Sequence, residues 1–193
     1  MGQLVIIVES DISGVWRITL EARGDERGYF ARTFCRREFA ARGLPSDLVQ
    51  CNVSFNPRSG TLRGMHLQLE PHAESKLVRC TRGSVFDVAV DLRPDSPTFA
   101  RWTGLTLSAT NGAMLLISKG FAHGYLTLED HTEVFYQVTE EYHPQSEAGV
   151  HWNDPTIRIA WPFQPTCISE KDRTLPDVET LRSRLVDTTT KRR

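Results

Sequence analysis

The sequence predicts an all-β fold, either a sandwich, a jelly roll or a barrel, with a few short helices at its periphery. Between residues 49 and 162, short segments alternate apolar and polar residues, which is the period of a half-buried strand. Turn signals separate these segments, and no long helical pattern lies between them. The turn signals are the segments 56–60, 82–83, 93–97 and 118–120.

Only two segments have the pattern of a helix, and both are short. They are 36–42 and, near the end of the chain, 178–185. No internal repeat or low-complexity linker divides the 193 residues. We therefore predict one domain over residues 1–193, with a barrel core at about 49–162 and a polar, frayed tail at about 186–193.

Composition and charge describe an ordinary globular protein. The net charge is −1, with 39% hydrophobic and 24% charged residues, so no basic field would recruit nucleic acid or an anionic membrane. The apolar stretch 4–8 is too short for a signal-peptide core, and no segment approaches the roughly 18 apolar residues of a membrane span. Four widely spaced cysteines without a Cys-x-x-Cys pair predict free thiols, and with them a cytoplasmic location.

Tyr136 falls on an apolar strand face. In the segment 133–139, the period of two places Tyr136 beside Val134 and Val138. An inward tyrosine needs either a hydrogen-bonding partner in the core or a use for its hydroxyl. The pattern leaves both readings open.

Two acids lie on one face of the strand predicted at 85–91. Asp87 and Asp91 alternate with apolar residues that point to the opposite face. Asp87 therefore faces either a polar cavity inside the barrel or solvent on an exposed sheet, and the sequence does not choose between them.

The segment 63–79 concentrates cations around one titratable imidazole. Its members are Arg63, His66, Lys76 and Arg79. A second histidine, His123, lies between two nearby glycines that permit close approach of backbone or ligand. A single histidine in a strand is more often structural or exposed than catalytic, so local chemistry does not decide either role.

A metal site is an alternative, because small barrels of this kind often hold iron or manganese. The chain offers His66, Glu70 and His72, but Pro71 interrupts the strand between the two histidines. A facial triad of His66, Glu70 and His123 is the form that such a site would take.

Longer motifs resemble those of the dTDP-4-dehydrorhamnose 3,5-epimerase family, beginning with Gly-Thr-Leu-Arg-Gly-Met-His at 60–66. The resemblance runs from about residue 28 to residue 172. Further matching segments are 76–79, 83–93, 96–99, 120–124, 152–155, 161–162 and 169–172. It implies a cupin-like jelly-roll barrel, a homodimer, and epimerisation of a nucleotide-linked 4-keto-6-deoxysugar in deoxysugar biosynthesis, with neither cofactor nor metal.

The family's chemistry requires an acid and a base on opposite faces of the sugar, and a cation at the ketone oxygen. By resemblance, His66 is the base, oriented by Asp172, and Tyr136 is the acid. Lys76 matches the cation near the enolate oxygen, with His123 close by.

The resemblance also implies a substrate-binding set: Arg27, Phe30, Gln50, Asn52, Arg63, Glu147 and Lys171. Arg63 is suited to the diphosphate, since a guanidinium can bind two oxygens at once. Arg27 and Phe30 would come from the neighbouring subunit and complete its partner's nucleotide site. Arg32 stands where the family usually has glutamate, which reverses a charge near the nucleotide base.

Several alternatives remain at the level of sequence. The enzyme could act at C3 and C5, at C3 alone or at C5 alone, and the final sugar product is not encoded in a recognisable pattern. A metal-dependent cupin oxygenase or isomerase and a non-catalytic sugar-nucleotide binding module are the competing classes. An acid and a base together weigh against a pure binder. We also hypothesise that Asp87 pairs with His123.

Overall fold

The computed structural model describes residues 5–190, with side chains described up to residue 185. Two large sheets pack face to face with helices outside them, so the predicted all-β, cupin-like jelly roll is confirmed. The strands are β1 (Val5–Glu9), β2 (Val15–Leu20), β3 (Arg23–Asp25), β4 (Gly28–Phe30), β5 (Gln50–Asn56), β6 (Thr61–Gln68), β7 (Lys76–Arg82), β8 (Ser84–Asp91), β9 (Trp102–Ser108), β10 (Met114–Ile117), β11 (Phe121–Thr127), β12 (Thr132–Val138), β13 (Glu147–Gly149) and β14 (Cys167–Ile168). The helices are α1 (Arg36–Ala40), α2 (Glu170–Arg173) and α3 (Val178–Thr190), with a 3₁₀ turn at Pro144–Ser146.

The strand order brings remote parts of the chain together. The first sheet has the order β1-β2-β10-β7-β12-β5, and the second has the order β13-β6-β11-β8-β9. The short strand β14 adds to the second sheet by pairing in parallel with β6. Since β6 and β7 follow each other in sequence but belong to different sheets, residues of 61–82 reach both walls of the space between the sheets.

Three apolar clusters hold the sheets and helices together. The first lies between the sheets and includes Val78 and Val134 of the first sheet and Val85 of the second. On the outer face of the second sheet, α3 contributes Leu181, and on the outer face of the first sheet, α1 contributes Phe39. Full burial of an apolar side chain of this size contributes about 1.5–3 kcal/mol.

The turn signals fall where the sequence placed them. Segment 56–60 joins β5 to β6, 82–83 joins β7 to β8, and 118–120 joins β10 to β11. Segment 93–97 lies in the longer connection from β8 to β9. These predictions are confirmed because glycine and proline act locally, without help from the rest of the fold.

The helix predictions are correct in place and inexact in length. The segment 36–42 contains α1, which ends at Ala40 and continues as a hydrogen-bonded turn. The helix predicted at 178–185 runs on to Thr190, through residues that the sequence assigned to a polar tail. Residues 191–193 of that tail lie outside the described part of the chain. The four-residue α2 was not predicted, since one turn is too short to show periodicity.

The first strands of the chain were also not predicted. β1 and β2 precede the segment 49–162 and extend the first sheet at its edge. β3 and β4 pair only with each other in the described structure, as a separate hairpin. Across residues 5–190, no helix has the length and apolar character needed to cross a membrane.

Candidate active site

A cavity of about 470 Å³ opens between the two sheets. Its wall includes His66 and His123 from the second sheet, Lys76 and Tyr136 from the first, and Asp172 from α2. A second cavity of about 300 Å³ shares His66, Lys76 and Tyr136 with the first. The five residues predicted to be catalytic therefore meet around one space, although they come from five different elements.

His66 and Asp172 form a close pair at this cavity. His66 Nε2 lies 2.7 Å from Asp172 Oδ1, and the side chains are 29% and 5% exposed. Burial raises the pKa of Asp172, but the hydrogen bond and charge of His66, with the Gly64 amide, lower it by more, so the carboxyl pKa is below its ordinary value. A carboxylate held in this way fixes the orientation of the imidazole ring.

Local sequence explains how Asp172 reaches a strand more than a hundred residues away. β14 pairs in parallel with the start of β6, with Cys167 opposite Thr61 and Ile168 opposite Leu62. Directly afterwards, the Ser169 hydroxyl accepts a hydrogen bond of 3.1 Å from the Asp172 amide and begins α2. The cap turns Asp172 back towards β6 and His66.

Two glycines permit the strands that carry the histidines to approach closely. His123 of β11 lies opposite His66 of β6 in the antiparallel ladder. A Cβ on Gly64 would lie 2.6 Å from Gly124 Cα, and Gly64 also has a φ of +125°. Only glycine fits both conditions without displacing the adjacent strand.

The hypothesised pair of His123 and Asp87 is present. His123 Nε2 lies 2.9 Å from Asp87 Oδ2, and Asp87 is fully buried. The reading in which Asp87 faces solvent is therefore wrong, because β8 is an inner strand of the second sheet and Asp87 points into the space between the sheets. Among the described residues, Asp87 Oδ1 has no hydrogen-bond partner. Asp91 has a structural role instead, binding Arg93, Ser96 and Thr98.

Tyr136 enters the cavity from the opposite sheet. Val134 and Val138 are buried on the same face of β12, as the period of two predicted, while Tyr136 is only partly buried and lines the cavity. Burial raises the pKa of the Tyr136 phenol, and the negative charge of Glu74 raises it further, against the opposing effect of Arg63. The phenol is therefore held in its protonated form at neutral pH.

Lys76 has a partner that the sequence analysis missed. Its Nζ lies 3.0 Å from Glu74 Oε1, and both side chains are about nine-tenths buried. Glu74 and Gln68 also line the second cavity. The sequence feature that could have revealed this pair is the position of Glu74, two residues before Lys76. In an extended segment, that spacing places both side chains on the same side.

Five of the residues predicted to bind substrate separate into two groups. Arg63 and Lys171 line the first cavity, and Gln50, Asn52 and Glu147 line the second. Lys171 Nζ lies 2.5 Å from Glu147 Oε1, and this contact raises the pKa of the lysine. The sequence analysis did not identify Tyr142, which also lines the second cavity and whose hydroxyl donates a hydrogen bond of 3.0 Å to Glu147 Oε2.

Arg27 and Phe30 lie apart from these residues. They belong to the β3–β4 hairpin, where Phe30 is 63% exposed and Arg27 pairs with Asp25 at 2.6 Å. Neither residue lines the two cavities described above. Arg32, which follows the hairpin, lies 3.8 Å from Glu38, so its reversed charge has an acidic neighbour in the same chain.

The metal triad considered from the sequence does not assemble. Among the side chains described for residues 5–185, the one set of three histidine, cysteine or acidic residues whose ligand atoms come within 4.8 Å of one another is His72, Glu140 and His143. Its two imidazole rings stack at 3.5 Å with an interplanar angle of 14°. Lone pairs in the planes of two parallel rings do not converge on one ion, so this set is not arranged as a metal site.

Comparisons with known proteins identify one family. A family model described as dTDP-4-dehydrorhamnose 3,5-epimerase matches residues 9–180. The dTDP-4-dehydrorhamnose 3,5-epimerase of Sinorhizobium fredii (strain NBRC 101917 / NGR234) is 47% identical over 156 residues, which cover 80% of each chain.

Solved structures agree with this match. The dTDP-4-dehydrorhamnose 3,5-epimerase of Bacillus anthracis str. Ames, with TDP and PPi bound, is 41% identical with a TM-score of 0.86, covering 90% of this chain and 99% of its own. The dTDP-6-deoxy-D-glucose-3,5-epimerase of Legionella pneumophila Philadelphia 1, in complex with dTDP-4-keto-L-rhamnose, is 37% identical with a TM-score of 0.88, covering 94% and 96%. The chain therefore belongs to the dTDP-4-dehydrorhamnose 3,5-epimerase family.

Proposed function

We propose that this protein is an isomerase that converts dTDP-4-dehydro-6-deoxy-D-glucose to dTDP-4-dehydro-L-rhamnose by inverting C3 and C5. The observation that carries the proposal is the distribution of acid–base groups around the cavity. The His66–Asp172 pair comes from the second sheet and α2, whereas Tyr136 comes from the first sheet. A substrate between the sheets would thus have proton-transferring groups on both faces of its sugar.

His66 acts as the base. The C4 ketone acidifies the protons at C3 and C5, so removal of either proton gives an enolate with its charge on O4. As His66 takes the proton it becomes cationic, and Asp172, at 2.7 Å, stabilises that charge and keeps the ring in place.

Tyr136 supplies the proton from the other side. Inversion requires that the carbon be reprotonated on the face opposite the one that lost its proton. A phenol with a raised pKa is protonated at neutral pH and is available for this step.

Lys76 and His123 stabilise the enolate. Lys76 is a compact cation in the cavity wall, suited to the negative charge that develops on O4. His123 lines the same cavity and is fixed by Asp87, so it adds a hydrogen bond whose direction is already set.

The nucleotide is held by the remaining polar residues of the two cavities. Arg63 and Lys171 bind the diphosphate, and Gln50, Asn52 and Glu147 bind the rest of the nucleotide. Support for dTDP comes from the TDP and the dTDP-sugar in the structures of the two relatives.

The functional unit is a homodimer, with the nucleotide site completed by Arg27 and Phe30 of a neighbouring subunit. Phe30 and Tyr29 are 63% and 68% exposed on a hairpin outside the main sheets, which fits a segment that packs on another chain. A sedimentation experiment that returns the monomer mass in the presence of dTDP would contradict this assembly. We also place the enzyme in the cytoplasm, since its four cysteines form no disulfide.

The test of the function is deuterium incorporation from heavy water, followed by NMR with dTDP-4-dehydro-6-deoxyglucose. We expect deuterium at both C3 and C5. Incorporation at one carbon alone would identify a single-site epimerase and correct the proposal. Absence of exchange at both carbons would contradict it.

Arg63→Ala is expected to raise KM about 10- to 100-fold with little change in kcat, because charged hydrogen bonds to the diphosphate are worth about 1.5–3 kcal/mol. The guanidinium of Arg63 reaches the cavity and donates to Asn56 Oδ1 at 2.8 Å. Steady-state kinetics with the exposed Arg58→Ala as the control variant would measure the effect. A loss confined to kcat would contradict a binding role for Arg63.

Asp87→Asn is expected to lower kcat about fivefold, since a neutral hydrogen bond to His123 is weaker than a charged one by about 1 kcal/mol. The amide keeps the shape of the side chain in its fully buried position. Steady-state turnover and a thermal melt would be measured together. If turnover is unchanged in a folded variant, the hydrogen bond from Asp87 to His123 does not contribute to catalysis.

A further inference from the structure

Glu74 is a buried carboxylate in the wall of the active site that none of the roles above uses. Its side chain is 10% exposed, and it lies in the connection between β6 and β7. It lines the cavity that also contains His66, Lys76 and Tyr136. A carboxylate removed from water to this extent is costly unless a cation and hydrogen-bond donors compensate it.

Lys76 provides the compensating charge. Glu74 Oε1 lies 3.0 Å from the Lys76 Nζ, and the lysine side chain is itself 12% exposed. A lysine head group sits on a flexible four-carbon stem, so without a fixed partner it has no single position. The ion pair restricts the ammonium to one part of the cavity wall.

Gln68 fixes the carboxylate in turn. The two N–H groups of its Nε2 are shared among three acceptors, Glu74 Oε2 at 3.3 Å and the carbonyls of His72 and Glu141 at 3.1 and 3.0 Å. Its Oε1 accepts from the His143 amide at 2.6 Å, and Gln68 is 3% exposed. The position of Glu74 is therefore set by the backbone of two connecting segments, and not only by the lysine that it holds.

Glu74 also acts on Tyr136 through its charge. After burial, it is the next cause of the raised pKa of the Tyr136 phenol, and Arg63 opposes it. Other charged or titratable groups share the two cavities with Tyr136: His66 of β6, Lys76 of β7, His123 and Tyr125 of β11, Glu147 of β13, Cys167 of β14, Lys171 and Asp172 of α2, and Tyr142. The Glu74 carboxylate thus contacts Lys76 and also raises the pKa of the Tyr136 phenol.

We propose that Glu74 is a positioning residue for epimerisation, which holds the Lys76 ammonium at the cavity and places a negative charge in the cavity that Tyr136 also lines. The inference rests on the proposed function, because it assumes the roles given to Lys76 and Tyr136. Glu74 itself does not need to touch the substrate, and its effect is transmitted through these two side chains.

The test is a pair of substitutions, Glu74→Gln and Glu74→Asp, compared by the pH dependence of kcat. Glu74→Gln keeps the size and removes the charge, so the phenolate of Tyr136 becomes less unfavourable and the alkaline limb of the profile should move to lower pH. We also expect kcat at neutral pH to fall by about 10- to 100-fold, the cost of a misplaced catalytic group. Glu74→Asp keeps the charge but shortens the reach, so kcat should fall while the alkaline limb stays close to that of the wild type.

Glu140→Gln is the matched control, since this carboxylate lies 3.8 Å from His143 in the neighbouring connection. Its profile should coincide with the wild type. The proposal would be overturned if the alkaline limb is unchanged in Glu74→Gln, or if it shifts equally in Glu74→Asp. An unchanged or raised kcat in Glu74→Gln would also overturn it. Deuterium exchange by the wild type distinguishes failure of the proposed function from failure of the role of Glu74. Absence of exchange by the wild type would contradict the proposed function. Exchange by the wild type together with an unshifted pH profile of Glu74→Gln would contradict only the role of Glu74.

Discussion

Replacing His66 with alanine should lower turnover by about 10²–10⁴-fold, the range for a positioned acid–base group. The imidazole is 29% exposed at the cavity and is the group that Asp172 orients from 2.7 Å. The other imidazole on that wall, His123, is paired with Asp87 at 2.9 Å and is assigned to the enolate oxygen, so it does not replace His66 as the base. Binding of dTDP should persist, because the residues assigned to the nucleotide are unchanged.

The measurement combines kcat with the dissociation constant of dTDP from calorimetry. His66→Ala leaves Asp172 buried without its imidazole partner, so His66→Asn, which retains a polar amide, guards against a loss that comes only from destabilisation. His131→Ala is the control, since His131 is exposed and stacks on Phe55 at 6.2 Å. Collapse of dTDP binding in folded His66 variants would show that the residue is structural.

Tyr136→Phe should also lower turnover by about 10²–10⁴-fold. The substitution removes one hydroxyl and preserves the ring that packs against the core between the sheets. The carbon then has no acid on the face opposite His66, so an enolate can form but is not reprotonated with inversion. Nucleotide affinity and the melting temperature should change little.

Product formation and dTDP affinity are measured side by side for this variant. A parallel fall in affinity and turnover would indicate that Tyr136 shapes the binding site. Turnover equal to that of the wild type would require another acid on the first sheet.

Strand patterns predicted much of this fold because the signals are local. The position of Tyr136 beside Val134 and Val138 follows from the two-residue period alone, and the structure confirms it. The turns follow from glycine and proline. The N-terminal strands were missed, because they become recognisable only through pairing, in which β2 joins β10 and β1 joins β2.

The site was predictable only in part. No local pattern connects His66 with Asp172 or His123 with Asp87, because strand pairing brings these residues together across long stretches of chain. Family resemblance supplied the first pair, and the second remained a hypothesis. Glu74 was missed although it lies two residues before Lys76, since its burial and its contact with the lysine arise only in the folded connection between β6 and β7.

The most direct test of opposed acid and base groups is to follow exchange and inversion separately in heavy water by NMR. Wild-type enzyme should incorporate deuterium at C3 and C5 with inversion. Tyr136→Phe should incorporate deuterium with retained configuration, since the partly exposed His66 can exchange its proton with solvent and return it to the same face. His66→Ala should do neither. Inversion by Tyr136→Phe at the wild-type rate, or rapid exchange by His66→Ala, would contradict the account.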